Sequence, residues 1–364
     1  MAPAPPPYGG IALQAGQLDA LLRRDGVAVD RLASNFALPF QPLERVPGIR
    51  AVLRAAIIWP MLWRRARGID VVHVLAASWL YFFMVVYPTV LVGRVLGKRV
   101  VINYRGGEAR EFFHRYGWLI APAFRLAASV TAPSEFLAGA IRQRFDVPVS
   151  IVPNIVDSSL FAYRPRPALR PAMLVTRHLE KIYDIESILK AFRVVQDAYP
   201  DASLWIAGSG SDEGRLRGLV ASWNLAGVRF LGEVPQRELP GIYDQCDIYV
   251  NASLVDNFPG ALLEASAAGL VVVTTGAGGI PTIYEDGRTA LLVEPGNGPG
   301  LAAAVIKVLQ QPSLAASLTD AARAIVRASD WKEVRKRLFE SYGFPLKVES
   351  ARESHLDGSP CAAG

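Results

Sequence analysis

Apolar and polar positions along the chain sort into short, unbroken apolar runs separated by longer stretches with helical spacing. "GVAVDRL", "DVVHVL", "RVVINY", "SVTAP" and "SIVPN" fall in the first half, and "AMLVTR", "SLWIAG", "VRFLG", "DIYVN" and "LVVVTT" in the second. Continuous Val/Ile/Leu runs bounded by turns belong to strands covered on both faces, because a strand with one wet face alternates instead. The sequence therefore predicts an α/β protein with two Rossmann-like, doubly wound parallel sheets. The stretch "FAYRPRPALRP", 161–171, has three prolines and no periodicity, and predicts the linker between them. The expected organisation is a domain over 1–165, a second over 166–330, a helix over 331–346 that can pack back on the first, and a disordered tail over 347–364. Ligand is expected between the two sheets, at the carboxyl ends of the strands.

The beginning departs from this pattern. "PYGGIALQAGQLDALLRRDG" reads as a glycine-rich turn entering a helix, with no strand ahead of it. The first strand of a doubly wound sheet is central, and two neighbours lose a pairing partner without it. The expectation is a first domain lacking its first strand, with that strand encoded upstream of Met1.

Composition narrows the partners. A length of 364 residues exceeds what one core supports, in agreement with two domains. The net charge of +6 and a pI near 9.4 point to an anionic partner: a phosphorylated metabolite, an acidic membrane surface or nucleic acid. No basic and aromatic motif for stacking bases accompanies the charge, which argues against nucleic acid. Two cysteines, Cys246 within an expected helix and Cys361 in the tail, provide no disulfide framework and imply a reducing, cytoplasmic setting. "MAPAPPPYGG" has neither the basic start nor the apolar core of a secretory signal. The most apolar stretch, "WLYFFMVVYPTVLVG", is shorter than the roughly 20 residues of a bilayer span and contains Pro88, so a buried or membrane-surface helix is expected. Over 45–67, six arginines mix with Ile57, Ile58, Trp59, Leu62 and Trp63. That mixture suits a helix lying on anionic lipid, and equally an amphipathic helix packed on a sheet with its basic side in water.

Candidate chemistry is densest in "DNFPGALLEASAAGLVVVTTGAGGIPTIYEDG". Pro259 suits the first turn of a helix and Gly269 its stop, which puts Glu264 mid-helix and Asp256 on the loop before it. Two carboxylates so spaced can accept hydrogen bonds from hydroxyls on two parts of one ligand. After the next strand come Gly276, Gly278 and Gly279, then Pro281 opening another helix; free amides there would attract phosphate, although a tight strand-to-helix turn also explains the glycines. "AMLVTRHLEK" supplies Arg177 and Lys181, cations able to stabilise a leaving diphosphate, or to form a surface ion pair with Glu180. No Asp-x-Asp triplet occurs and the four histidines lack ligand spacing, so no catalytic metal is expected. His73 and His178 are read as packed or solvated.

With "GGIP", "EDG" and "LLVEPGN" following "NFPGALLEA", this segment resembles the donor-binding signature of glycosyltransferase family 4, the group 1 glycosyltransferases, which are retaining enzymes of the GT-B fold. "YGG", "VHV", "APSEFLAGAIRQRF", "IVPNIVDSSLF", "IAGSGSDEGRLRGLV" and "VRFLGEVPQRELPGIYDQCDIYVNAS" extend the resemblance through most of the chain in the family's order. It implies a nucleotide-sugar as co-substrate, no further cofactor, and a lipid-linked or polysaccharide acceptor. Asp256 would contact the sugar and Glu264 the ribose, with Arg177 and Lys181 on the diphosphate. Asn257, Phe258, Pro259, Gly260, Gly208, Val234 and Gly10 would line the donor site, the "GAGG" amides and Gly10 lying on its phosphate side.

Three departures stand out. Asp256 replaces the family's first glutamate, Asn257 its customary glycine, and Arg105 a histidine that contacts the donor sugar. Arg105 is nonetheless expected in the catalytic set. Tyr104, Gly106 and Gly107 keep the close-approach character of its loop, while Glu108 and Glu111 either face the acceptor or merely open a solvated helix. The resulting expectation is a metal-independent hexosyltransferase, cytoplasmic and peripheral on the inner membrane face. The alternative is a GT-B-shaped protein that binds nucleotide-sugar with impaired or lost turnover.

Overall fold

The computed structural model describes residues 1–4, 9–36 and 47–344. The expected disordered tail, with Cys361, lies outside the described residues, as do residues 45–46 of the basic segment.

The apolar runs form two all-parallel sheets. In the first half, β1 (Val71–Ala76), β2 (Arg99–Tyr104), β3 (Ser129–Ala132) and β4 (Val149–Ile151) pair in the order β1-β2-β3-β4. Helices α1 (Gly10–Arg24), α2 (Pro47–Ala66), α3 (Tyr87–Val95), α4 (Ala109–Leu126) and α5 (Glu135–Phe145) surround them. In the second half, β5 (Ala172–Thr176), β6 (Ser203–Ala207), β7 (Val228–Gly232), β8 (Ile248–Asn251), β9 (Val271–Thr275) and β10 (Leu291–Val293) pair in the order β10-β9-β8-β5-β6-β7. Their connections are α6 (Ile185–Ala198), α7 (Glu213–Ser222), α8 (Leu239–Gln245) and α9 (Gly260–Ala268), and α10 (Gly298–Gln310), α11 (Pro312–Ser329) and α12 (Trp331–Ser341) complete the chain. Each sheet has its own core: Val74, Ile102 and Phe124 are buried in one, Leu204, Ile248 and Val273 in the other. Strand β9 is buried at all five positions, which is why it reads as an unbroken apolar run.

No strand precedes α1 among the described residues, but the position beside β1 is not bare. The Leu75 N–H donates to Met1 O at 3.0 Å, and Ala2 bridges Ala33 through bonds of 3.3 and 3.0 Å. Two short extended pieces thus cover the edge expected to lack a partner. "GVAVDRL" forms no strand; Val27 and Val29 pack against α1 and α12 instead. Cys246, expected within a helix, is buried one residue beyond α8. The apolar stretch over 79–93 is largely a core element, in which Phe82, Val86 and Val90 are inaccessible to solvent. Among the described residues, no single helix is long and apolar enough to cross a membrane.

The chain crosses between the halves twice. The first crossing, over 161–171, is anchored by Arg164, Arg166 and Arg170, which reach the buried Asp247 carboxylate at 3.0, 3.0 and 2.9 Å. The second lies at the junction of α11 and α12. There Val156, five residues ahead of the first crossing, donates its N–H to Ser329 O at 3.0 Å and bridges Asp330, so the second crossing runs beside the approach to the first. Helix α12 then packs Trp331, Val334 and Leu338 onto Leu18 and Leu22 of α1, and the Trp331 indole donates to Asp25 at 2.9 Å.

Candidate active site

Both sheets end at one cleft of about 1340 Å³, reached by residues following β1, β2 and β4 on one wall and β5, β6 and β8 on the other. Arg177 follows β5 directly. Its Nε donates to Asn251 Oδ1 at 3.1 Å, its Nη2 pairs with the Asp256 carboxylate, and its guanidinium lies over the Tyr183 ring, 5.0 Å from the centroid. Burial works against the charged form, but Asp256 with Tyr249 and Tyr183 outweighs it, and the guanidinium is held above the ordinary arginine range. Gly208, at the end of β6, has φ +144°, and a Cβ there would stand 1.9 Å from the Arg177 carbonyl oxygen. Only glycine lets the two strand ends pass so closely.

Helix α9 brings the second half of the donor signature to the same cleft. Pro259 is its N-cap rather than its first turn, and Pro259, Gly260 and Ala261 line the cavity. The Tyr243 hydroxyl donates to Glu264 Oε2 at 2.9 Å and lies 2.7 Å from Thr176 Oγ1. Burial raises the Glu264 carboxyl, against the lowering pull of Tyr243 and Arg177. Asp256 also accepts from the Asn257 N–H at 2.8 Å.

The two walls touch beside these groups. Asn257 Nδ2 donates to Gly106 O at 3.0 Å, and Asn154 Nδ2 to Phe258 O at 2.7 Å. Gly106 is itself tightly seated, since a Cβ there would come 2.3 Å from Ser78 Oγ. Arg105 donates Nε to Asn103 Oδ1 at 3.1 Å and Nη1 to Asn154 Oδ1, and burial brings its guanidinium down to about 10.

The structure thus gathers Arg105, Arg177, Asp256, Glu264, Asn257, Phe258, Pro259, Gly260, Gly208, Val234 and Gly10 around one cleft. Lys181 stands exposed on a short turn, Lys181–Tyr183, outside the lining. The next two residues of the turn, Ile182 and Tyr183, face the cleft. The "GAGG" amides are a correction. Gly276 and Gly279 donate to Val293 O and Asp256 O, both at 2.8 Å, and a Cβ on Gly278 or Gly279 would come 2.1 Å from the carbonyl of Asp256 or Asn257. These glycines support the Asp256 loop from beneath and do not offer amides to the cleft. Glu108 lines the cleft and accepts from the Trp79 indole at 2.8 Å, while Glu111 is exposed outside it. His73 is half-buried, 2.7 Å from the Tyr342 hydroxyl, and His178 lies exposed on the cleft wall.

Sequence reading missed Tyr243, Asn154, Trp79 and Arg31, all of which line or support the cleft. Asn154 had a local signal, a polar residue after a strand in "IVPNIV". Tyr243, Trp79 and Arg31 had none, because each gains its place through contacts distant in sequence.

Two parallel α/β domains facing a cleft of this composition define a GT-B glycosyltransferase fold. The profile described as "Glycosyl transferases group 1" matches residues 164–325, and that described as "Glycosyltransferase Family 4" matches residues 8–160. The chain belongs to glycosyltransferase family 4. It is 29% identical over 198 residues to the glycogen synthase of Mycobacterium tuberculosis H37Rv, covering 53% of this chain and 48% of the relative. It is 29% identical over 218 residues to the phosphatidyl-myo-inositol mannosyltransferase of Mycolicibacterium smegmatis, covering 57% and 55%. A D-inositol 3-phosphate glycosyltransferase of Arthrobacter is 26% identical over 238 residues, covering 62% and 56%. The matched segments span about half the length of these curated relatives. Among solved structures, sucrose-phosphate synthase from Thermosynechococcus elongatus superposes with a TM-score of 0.73 at 20% identity, covering 92% of this chain and 93% of that one. HepE of Anabaena in complex with UDP gives 0.68 at 17%, covering 90% and 89%. At such identities the likeness speaks for the fold.

Proposed function

We propose that the protein transfers a hexose-type sugar, with retention of anomeric configuration, from a nucleoside diphosphate to a lipid-linked or polysaccharide acceptor. The observation that carries this reading is the convergence of Arg177, after β5, and Glu264, on α9, on one cleft. In the proposed complex Glu264 accepts from the ribose hydroxyls, Asp256 from the sugar, and Arg177 lies against the diphosphate with the amino end of α9. The bond between the anomeric carbon and the diphosphate oxygen breaks. The acceptor hydroxyl then attacks from the face the diphosphate leaves, and its proton passes to the departing phosphate oxygen. Negative charge grows on that oxygen, so a fixed guanidinium favours the transition state over the bound donor. This assigns to Arg177 the charge that a metal supplies elsewhere. The relation to HepE, whose structure holds UDP, supports a nucleotide donor.

The acceptor reading draws on charge. Residues 47–126 contain twelve Lys and Arg against three Asp and Glu, more than the whole excess of the chain, so the remainder is net acidic. Trp59 on α2 and Trp118 on α4 are exposed at 47% and 75% within this basic region. A basic span with exposed tryptophans suits a peripheral position on the anionic inner face of a membrane. Relatives named for phosphatidylinositol substrates support that placement.

A second reading, nucleotide-sugar binding with weakened turnover, is favoured by one observation, the displacement of Lys181 from the lining. A thermal-shift series with UDP-, GDP- and ADP-sugars tests the site, and product analysis separates the two readings. Stabilisation by one donor class, abolished in both Glu264→Ala and Arg177→Ala, supports the site. A folded protein that neither binds nor hydrolyses any of them sinks the proposal.

A further inference from the structure

We propose that Asn154 is a positioning residue: its one side-chain amide sets the Arg105 guanidinium of the first domain in register with the 256–259 loop of the second, beside the donor sugar. The sugar, though not the register, rests on the reading of the cleft as a nucleotide-sugar transferase site.

Asn154 follows β4 and is only 8% exposed, yet both ends of its amide are bonded. Its Oδ1 accepts from Arg105 Nη1, and its Nδ2 donates to Phe258 O at 2.7 Å. A guanidinium only donates and a peptide carbonyl only accepts, so the flipped amide would set donor against donor and acceptor against acceptor. The orientation of Asn154 therefore has one solution, and it joins residues of different domains. Breaking either bond strands a polar group away from water, so an amide buried in this way holds both partners.

The join is made twice. Asn257 Nδ2 donates back to Gly106 O at 3.0 Å. Arg105 adjoins Gly106 and Asn257 adjoins Phe258, so hydrogen bonds and chain close a ring that runs Arg105, Asn154, Phe258, Asn257, Gly106 and back to Arg105. One bond between two walls would act as a pivot, whereas a closed ring fixes rotation as well as spacing. Each corner also has its own support. Gln14 on α1 brackets Ile155, accepting from its N–H at 3.0 Å and donating to its carbonyl at 3.1 Å. Ser78 Oγ donates to Gly107 O at 2.6 Å, and the Gly279 N–H donates to Asp256 O at 2.8 Å.

What the ring delivers is Arg105. Its Nε is engaged by Asn103 Oδ1 and its Nη1 by Asn154, while its Nη2 has no hydrogen-bond partner among the described residues. The side chain lines the cleft, and the loop to which it is tied carries Asp256, the carboxylate that accepts from the sugar in the proposed complex. Arg105 Nη2 then donates to an oxygen of that same sugar. The nucleotide has its own partners in Glu264 and Arg177, so Asn154 bears on the sugar and not on the nucleotide.

The test is calorimetric binding of UDP-glucose, GDP-mannose and ADP-glucose to the full chain, each beside its free nucleoside diphosphate. For the nucleotide-sugar that the parent binds, Asn154→Ala is expected to weaken affinity about tenfold or more, the cost of one charge-assisted hydrogen bond, and to leave the diphosphate within about twofold. Asn154→Asp still accepts from Arg105 but has no hydrogen for Phe258 O, and should weaken the same binding. Parent-like affinity in that variant would make the Phe258 bond idle and overturn the proposal. Asn154→Ala combined with Arg105→Gln should bind no more weakly than Arg105→Gln alone, because both act through one contact. Additive losses overturn the proposal, as does an equal loss for nucleotide-sugar and diphosphate, which general loosening would produce. A second measurement needs no ligand: in Asn154→Ala with a parent-like melting transition, amide hydrogen exchange should rise both at 105–107 and at 257–260. A rise on one side only, or on neither, overturns the register. Asn257→Gly, which removes the return bond alone, takes its place in the exchange experiment should Asn154→Ala fail to fold. A parent that binds none of the three nucleotide-sugars, with exchange rising on both sides in the variant, overturns the donor reading and the sugar role while the register stands.

Discussion

Arg177 and Asp256 close an ion pair across the donor side of the cleft, with side chains only 12% and 14% exposed, so the cation assigned to the diphosphate is already occupied by the carboxylate assigned to the sugar. A donor has to insert between them. Replacing Asp256 with Asn is therefore expected to lower the melting temperature of the free protein, because removing one partner of a buried pair leaves a bare charge worth about 3 kcal/mol. The same change is expected to tighten binding of free UDP while lowering sugar transfer, since Arg177 is released but the sugar loses its acceptor. Calorimetry with UDP and a product assay read the two effects; weaker UDP binding would contradict the competition.

Gly208→Ala should be far more damaging than an exposed glycine replacement. Its φ of +144° and the 1.9 Å approach of a Cβ to Arg177 O require the ends of β5 and β6 to separate. A loss of at least about 2 kcal/mol is expected from overpacking and backbone strain together. Denaturant melts of the variant check it, with Gly214→Ala, where nothing lies within 4 Å, as the comparison.

Donor affinity should weaken on the acid side of neutrality. Burial raises the Glu264 carboxyl, so it takes up a proton at a higher pH than an ordinary glutamate and then ceases to accept from two hydroxyls. Binding of the donor is thus retained above that range and lost as pH falls through it. Glu264→Gln should bind weakly at every pH and show no such dependence; a parallel pH profile in that variant would exclude Glu264 as its source.

Stability has its own acid limb, set by His73. Burial, with nearby positive charge, lowers its imidazole from 6.5 to about 3, so the folded protein keeps it neutral while the unfolded chain protonates it. Unfolding then takes up a proton between these values, and stability falls as pH drops from 6.5 toward 3. His73→Gln can still accept from the Tyr342 hydroxyl, and its melting temperature should vary less over that window. An unchanged slope would remove His73 from the account.

Much of this was legible in the sequence, for reasons that differ by residue. Strands β5, β8 and β9 declare themselves because burial on both faces writes a continuous apolar run, and Asp256 with Glu264 because one short loop and helix carry both. The phosphate role expected of "GAGG" failed because a glycine that admits a ligand and one that admits another backbone look alike in sequence; here the intruder is the carbonyl of Asp256. The exposed position of Lys181 was not legible, because charge and spacing do not say on which side of a turn a flexible side chain emerges. The cover that Met1 and Ala2 give to β1 and the place of Tyr243 beneath Glu264 depend on long-range pairing, which leaves no local periodicity.

The double crossing at Val156 and Asp330 has a mechanical consequence. Two domains joined by one tether can tumble about it in every direction, whereas two adjacent tethers bonded to each other define a single axis, as two pins do on a door. Such a pairing favours swinging of the lobes about that line over sliding of one wall of the cleft past the other.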